Sequence, residues 1–363
     1  MMSNRVALGS LALAAALGML GATEAALAQD FEPEFVDGVL QRLPDGFPSE
    51  DITLIVADSP TSAEGILMQN LVEVAAKYSP VGVRAEARED FEAFGSWEAL
   101  RYMLDTEGGN GGYINLVFGT PGGLVDLHAA PVTRDVGVGL DDLTEIITLE
   151  SRPYAVIVCS QVDFEKNWES LIQQIKDNPG ELRYMGGGPG AGTDMTFAYY
   201  MHTLRMGSLY DKSMLNHINV GNTAARALAV AACEGQVTTT TMDLALTHTQ
   251  SDKVDVVLIG GDTRVAEFAD VPTAADVGIP DDPMSSTKQI VLTSKVDPER
   301  VAWLNALWSA VANDADYQAA RKQAQLGTVI KILNPQESAE FNDTADAKMN
   351  ELTRTLGINT DDQ

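Results

Sequence analysis

The sequence predicts an α/β protein of two lobes, and three observations carry that prediction. Short apolar runs alternate with segments of helical periodicity, the pattern of a mostly parallel sheet covered on both faces. The alternation runs through residues 51–118 and begins afresh at residue 154. Two strand-to-helix junctions, residues 58–62 and 186–192, are rich in Ser, Thr and Gly, and in such sheets ligands sit where those loops leave the carboxyl ends of strands.

The chain opens on an export signal. Asn4 and Arg5 precede an apolar run over residues 6–21, and Ala26-Leu27-Ala28 offers a small-x-small site for cleavage after Ala28. The run falls short of the about 20 apolar residues an anchor needs and is dominated by Ala and Gly. No Cys stands at the cleavage point to take a lipid, so the mature chain is expected to be exported and soluble. Residues 29–46, with Pro33, Pro44 and Asp45-Gly46, read as a loosely held lead-in.

In the first block, residues 51–57 read as a buried strand and residues 63–78 as a helix carrying Ile66, Leu67, Leu71, Val74 and Ala75 on one side. Residues 81–87 form a second strand, 97–104 a second helix and 113–118 a third strand. In the second block the strands are 154–159, 182–185, 217–220, 237–242 and 254–259, and the helices 170–176, 194–206 and 224–233. Residues 290–293 and a long amphipathic segment over 298–326 return the chain to the first block.

Composition excludes several classes. Against 52 acidic residues stand 24 basic ones, a net charge of −28, and no Lys/Arg stripe runs through the chain to release counterions from nucleic acid. His128, His202, His217 and His248 lack metal-ligand spacing, and no GxSxG elbow or CxxC pair is present. Catalytic residues, metals and cofactors are therefore not expected. Cys159 and Cys233 either pair in an oxidising compartment or remain two buried thiols.

The candidate ligand-binding residues lie on the loops. Gly186, Gly187 and Gly188 start a Gly-rich loop in front of a helix, where free N–H groups and the helix dipole favour an anion. It is not a P-loop, since no Gly-Lys-Ser/Thr follows, and Ala191 breaks a GxGxxG. Ser59, Thr61 and Ser62 can cap the helix after them or bond a ligand oxygen. Gly119 and Thr120 open a third candidate wall, and Asp243, after the Thr-rich strand, joins the set. Phe91, Phe94 and Trp97 follow the second strand and read as packing or as a mouth for an aromatic ligand.

Several pieces, in order, resemble the Bug-type substrate-binding proteins of tripartite tricarboxylate transporters. They are Phe47-Pro48-Ser49 before Ile52-Thr53-Leu54-Ile55-Val56, then Leu140-Asp141-Asp142-Leu143-Thr144, and Asp177-Asn178-Pro179-Gly180-Glu181-Leu182-Arg183-Tyr184 with its Gly-rich loop. Gly235-Gln236-Val237 follows, and the most specific piece is Asp270-Val271-Pro272-Thr273-Ala274-Ala275-Asp276-Val277-Gly278-Ile279-Pro280. The resemblance implies a type II periplasmic binding fold, two α/β lobes with a ligand cleft at the hinge: residues 47–149 and 289–363 in one, 150–288 in the other. It implies a monomeric periplasmic receptor, not an enzyme, that passes a small organic acid to membrane transporter subunits. It also implies that Ser59, Pro60, Thr61 and Ser62 face Gly187, Gly188, Thr193 and Asp194 across the ligand. The chain departs from the family where Thr61-Ser62-Ala63-Glu64 replaces a glycine-rich run and Asp194 stands in place of His. With Asp58, these acids are expected to disfavour a polyanion, each by about 1 kcal/mol at short range. A monocarboxylate, a zwitterion or a neutral amide gains by that, and coupling to a sensor is an alternative to uptake.

Overall fold

The computed structural model describes residues 31–56, 59–60, 63–88, 99, 101–103, 105, 114–119, 140–188, 191–210, 212–279, 285–293, 296–323 and 332–355. The export signal, the three aromatic residues Phe91, Phe94 and Trp97, and most of the second expected helix lie outside them.

The lead-in is not loose. Asp37 and Gly38 both take positive φ, 52° and 84°, which lets a two-residue turn join β1 (Phe35–Val36) to β2 (Val39–Leu40). Leu40 and Phe47 are buried in the first core, and Trp303 donates its indole N–H to the Gln41 carbonyl at 2.7 Å. The Asp-Gly pair is a hairpin signal that the Pro-rich surroundings mask in the sequence.

β3 (Ile52–Val56), α1 (Ala63–Ala75), β4 (Val83–Ala87) and β5 (Ile114–Gly119) follow the expected order, with β3 parallel to both neighbours. β6 (Leu143–Cys159) starts well before its expected position and runs for 17 residues. Beyond it come α2 (Trp168–Asp177), β7 (Arg183–Gly186), α3 (Gly192–Thr203), β8 (Asn216–Asn219), α4 (Thr223–Ala231), β9 (Val237–Thr241), α5 (Met242–Thr249) and β10 (Val254–Ile259). Asn167 and Asn222 accept the Ser170 and Ala225 amides at the starts of α2 and α4, as N-caps do. β11 (Ser285–Thr293), α6 (Pro298–Ala312), α7 (Ala315–Gln323) and α8 (Pro335–Thr355) complete the chain.

Nine strands form one sheet among the described residues, and it is mixed where a mostly parallel one was expected. The reason is β6 and β11. They run antiparallel to each other over residues 143–153 and 285–293, and β11 is also antiparallel to β5. From Tyr154 onward β6 changes partners and lies between β9 and β10, again antiparallel. Two register shifts along the β6–β11 pair add local twist as the strands pass from one block to the other.

The cores follow this division. One is built from residues 40–149 and 290–317 around Trp303 and Trp308, and two more from residues 155–279. Val156, Val158 and Tyr184 enter one of those and Ala155, Ile157 and Met185 the other, so alternate strand positions feed opposite faces. Cys159 and Cys233 are paired, with Cα atoms 5.4 Å apart, fastening the end of β6 to the chain after α4. The Asp270–Pro280 signature also has a physical basis. Thr273 and Asp276 exchange side-chain and amide hydrogen bonds in a capping box, while Pro272 and Ala274 bond the Ile259 backbone and continue the edge of β10.

The segment expected as one amphipathic stretch over 298–326 is two helices. Asp314 caps α7 by accepting the Asp316 amide at 2.7 Å, and the same carboxylate takes the Tyr78 hydroxyl at 2.7 Å and Lys77 at 3.1 Å from the end of α1. The Tyr78 bond above all, with the Asp316 amide and Lys77, holds this carboxyl down at about 2 against the opposing effect of burial. A carboxyl depressed in the folded state stabilises it above its unfolded pKa and loses that contribution as pH falls through the folded value. Asp314→Asn is therefore expected to be less stable than the parent at pH 7 in urea unfolding, with the gap shrinking below about pH 4 and closing near pH 2. Equal stability at pH 7 would contradict this role.

Candidate functional site

The Gly-rich loop leaves β7 at Gly186 and enters α3 at Gly192, and the anion in its cradle belongs to the protein. Asp194 is fully buried. The Gly187 amide donates to both its carboxylate oxygens at 3.0 Å, and the Gly188 amide to Oδ2 at 2.9 Å. His217 Nε2 lies 2.7 Å from Oδ2, and Arg226 Nη1 3.3 Å from Oδ1. The carboxylate only accepts, so Nε2 carries the hydrogen of the His217 contact. Taking a charge out of water costs several kcal/mol, and this many donors can offset it.

The glycines follow from that side chain. A Cβ on Gly186 would fall 2.1 Å from His217 Nε2 and 2.5 Å from Asp194 Oδ2, and one on Gly187 would fall 2.2 Å from Arg226 Nη1. Gly188 is needed for another reason, its φ of +96°. The β7–β8 register sets Tyr184 beside His217, and their rings stack at 5.7 Å. The Tyr184 hydroxyl donates within reach of Thr239 Oγ1 at 3.2 Å and of the Thr193 carbonyl at 3.4 Å. Burial, with the charge of Asp194, pushes that hydroxyl well above its ordinary pKa.

Thr193 is the one candidate of this loop whose functional group is left over. Its side chain sits at the start of α3, the residue is 4% exposed, and among the described residues Oγ1 has no hydrogen-bond partner. Buried hydroxyls are normally satisfied, and the first-turn amides of a helix have no partner within it.

On the other side, Ser59 is half-buried and Pro60 exposed. A Cβ on Gly65 would lie 2.2 Å from the Ser59 carbonyl oxygen, so the glycine in the first turns of α1 lets this loop fold down onto the helix. Gly119 ends β5, opposite Gln289 of β11. Asp58, Thr61, Ser62 and Thr120 lie outside the described residues. Asp243, in the first turn of α5, is 3.5 Å from Arg152, with its side chain 22% exposed. Arg152 in turn meets buried Glu150 at 3.1 Å, and Arg321 of α7 bonds the other Glu150 oxygen. Ion pairs thus run from the first block, through the middle of β6, to the second.

Asp194, expected to repel a polyanion from the cleft, has a carboxylate that is buried and matched by Arg226, His217 and two amides. Sequence reasoning missed Arg226, His217, Glu150, Arg152 and Arg321. His217 has no metal-ligand spacing to mark it, and Arg226 shows nothing in the sequence beyond a charge inside an Ala-rich helix. Among the described residues no group of His, Cys, Asp or Glu can hold a metal ion, and no helix is long and apolar enough to cross a membrane. A groove of about 960 Å³ lies elsewhere, between Phe31, Phe35, Val301, Ala306 and Asn334, and none of the candidate residues lines it.

Two α/β lobes joined by long shared strands, with the Gly-rich loop at the carboxyl end of a parallel strand, make up the type II periplasmic binding fold. The family of tripartite tricarboxylate transporter family receptors, TctC, matches residues 127–358, and the chain belongs to it. Solved structures agree on the fold. A TctC solute-binding protein from Polaromonas is 17% identical, with a TM-score of 0.68 over 85% of this chain and 100% of that one. MatC from Rhodopseudomonas palustris, with bound malate, is 15% identical at a TM-score of 0.64, covering 84% and 99%. A further R. palustris protein, with adipate, is 16% identical at 0.66, covering 86% and 99%. No curated protein matches the chain.

The cradle's dependence on small residues is open to test. Gly186→Ala forces a methyl into the His217–Asp194 contact and is expected to lower unfolding free energy by about 1–3 kcal/mol, the usual cost of overpacking. Denaturant unfolding measures this, and a variant as stable as the parent would show that the contact is not tight.

Proposed function

We propose that the protein is an extracytoplasmic solute receptor which takes a small organic acid into the cleft between its lobes and passes it to a membrane transporter of the tripartite tricarboxylate type. Family membership supports the receptor role, and relatives with malate and adipate support a carboxylate. The lobes in this reading are residues 47–149 with 289–363, and residues 150–288, and the receptor acts as a periplasmic monomer freed by cleavage after Ala28. The β6–β11 strands serve as the hinge.

The observation that carries the carboxylate reading is Thr193. An unpartnered, buried hydroxyl at a helix start, beside amides that the helix itself leaves unbonded, suits a carboxylate held at the positive end of the dipole. A second reading, a zwitterion or amide, draws on Asp243, which is partly exposed and, among the described residues, pairs with Arg152.

Melting curves of the mature protein with malate, adipate, lactate and an amino-acid series test the reading, since a ligand of the folded form raises the melting temperature. A carboxylate is expected to raise it. Thr193→Val is expected to weaken that ligand by about 10-fold or more without lowering the unliganded melting temperature, because it removes a buried hydroxyl that makes no bond among the described residues. No shift with any carboxylate would overturn the assignment, and a shift with amino acids alone would favour the second reading.

A further inference from the structure

We propose that Asp194 is the resident anion of the Gly-rich cradle: its carboxylate fills the place a cargo carboxylate would take and closes that place to cargo. The cargo part of this statement rests on the receptor reading above; the occupancy part does not.

A carboxylate ligand in such a loop would be met by backbone N–H groups and a fixed cation. Gly187 N–H, Gly188 N–H, Arg226 Nη1 and His217 Nε2 are those donors, and all four point at the two oxygens of Asp194. Arg226 is steadied in that role by its second nitrogen, which donates to Thr223 Oγ1 at 2.6 Å. The donors come from three places, the β7 loop, β8 and α4, and meet on a residue at the start of α3. This is more machinery than a helix cap uses, since an ordinary cap satisfies one or two amides with one short side chain. The site is also sealed, for Asp194 is fully buried and Arg226 and His217 nearly so.

The consequence is selectivity. With these donors spent internally, the position left for an anionic group among the described residues of this loop is at Thr193 and the first-turn amides of α3. Cargo with a single carboxylate at this end suits that arrangement, and a tricarboxylate needing both positions does not. The acid at residue 194 therefore acts by occupying donors, not by repelling charge.

Chemical rescue tests the occupancy without knowledge of the cargo. Asp194→Ala leaves two amides, a buried guanidinium and an imidazole facing a space the size of a carboxylate, whereas Asp194→Asn keeps that space filled. Melting temperatures are compared in sodium formate and sodium chloride at about 100 mM. Asp194→Ala is expected to melt lower than the parent and to regain about 3 °C or more in formate over chloride, with the parent and Asp194→Asn moving by less than about 1 °C. Equal responses in all three proteins, or none in Asp194→Ala, would overturn the proposal. If Asp194→Ala does not fold on expression, its refolding from urea in the two salts decides. Recovery in formate alone supports a vacated anion site, and equal recovery or equal failure contradicts it. Retained cargo binding by Thr193→Val would sink the carboxylate assignment and leave the formate result untouched.

Discussion

One buried charge organises the wall of the second lobe. The Asp194 carboxylate is reached by amides from the β7 loop, by His217 from β8 and by Arg226 from α4, so three elements are aligned on a single group. Its removal would leave Arg226 as a buried cation without its carboxylate, a situation that costs several kcal/mol. The glycines at 186 and 187 exist because those side chains approach the backbone so closely. Loop, helix start and edge strand thus form one unit, and Thr193 sits buried within it at the start of α3.

A second constraint joins the lobes. β6 gives its first part to β11 and its last part to β9 and β10, so the chain passes between lobes without leaving the sheet. Glu150 and Arg152 stand just before the change of partners and are buried. Arg321 reaches Glu150 from one lobe and Asp243 reaches Arg152 from the other, which places a line of paired charges along the middle of β6.

Much of the fold was legible in the sequence, and the reasons are physical. Apolar runs such as residues 52–56 and 254–259 have one stable use, a buried strand, and both formed as read. Periodicity reports burial but not strand direction, so the antiparallel β6 and β11 were folded into a parallel expectation. The Asp37-Gly38 turn was overlooked among prolines, and the helix break at Asn313-Asp314 depended on Tyr78 and Lys77, which lie far away in the chain. For the site, the strand-to-helix pattern points to the Gly-rich loop, and the family resemblance adds Thr193 and Asp194. What could not be read was that Asp194 turns inward. Only the three-dimensional meeting with Arg226 and His217 converts an acid that would repel cargo into one that consumes donors.

The most direct test is a crystal structure of the protein with a carboxylate that raises its melting temperature. The Asp194 oxygens are expected still on the Gly187 and Gly188 amides, with the ligand carboxylate at Thr193 Oγ1 and the first turn of α3. A ligand carboxylate on the Gly187 and Gly188 amides, with Asp194 swung out of the cradle, would contradict that arrangement.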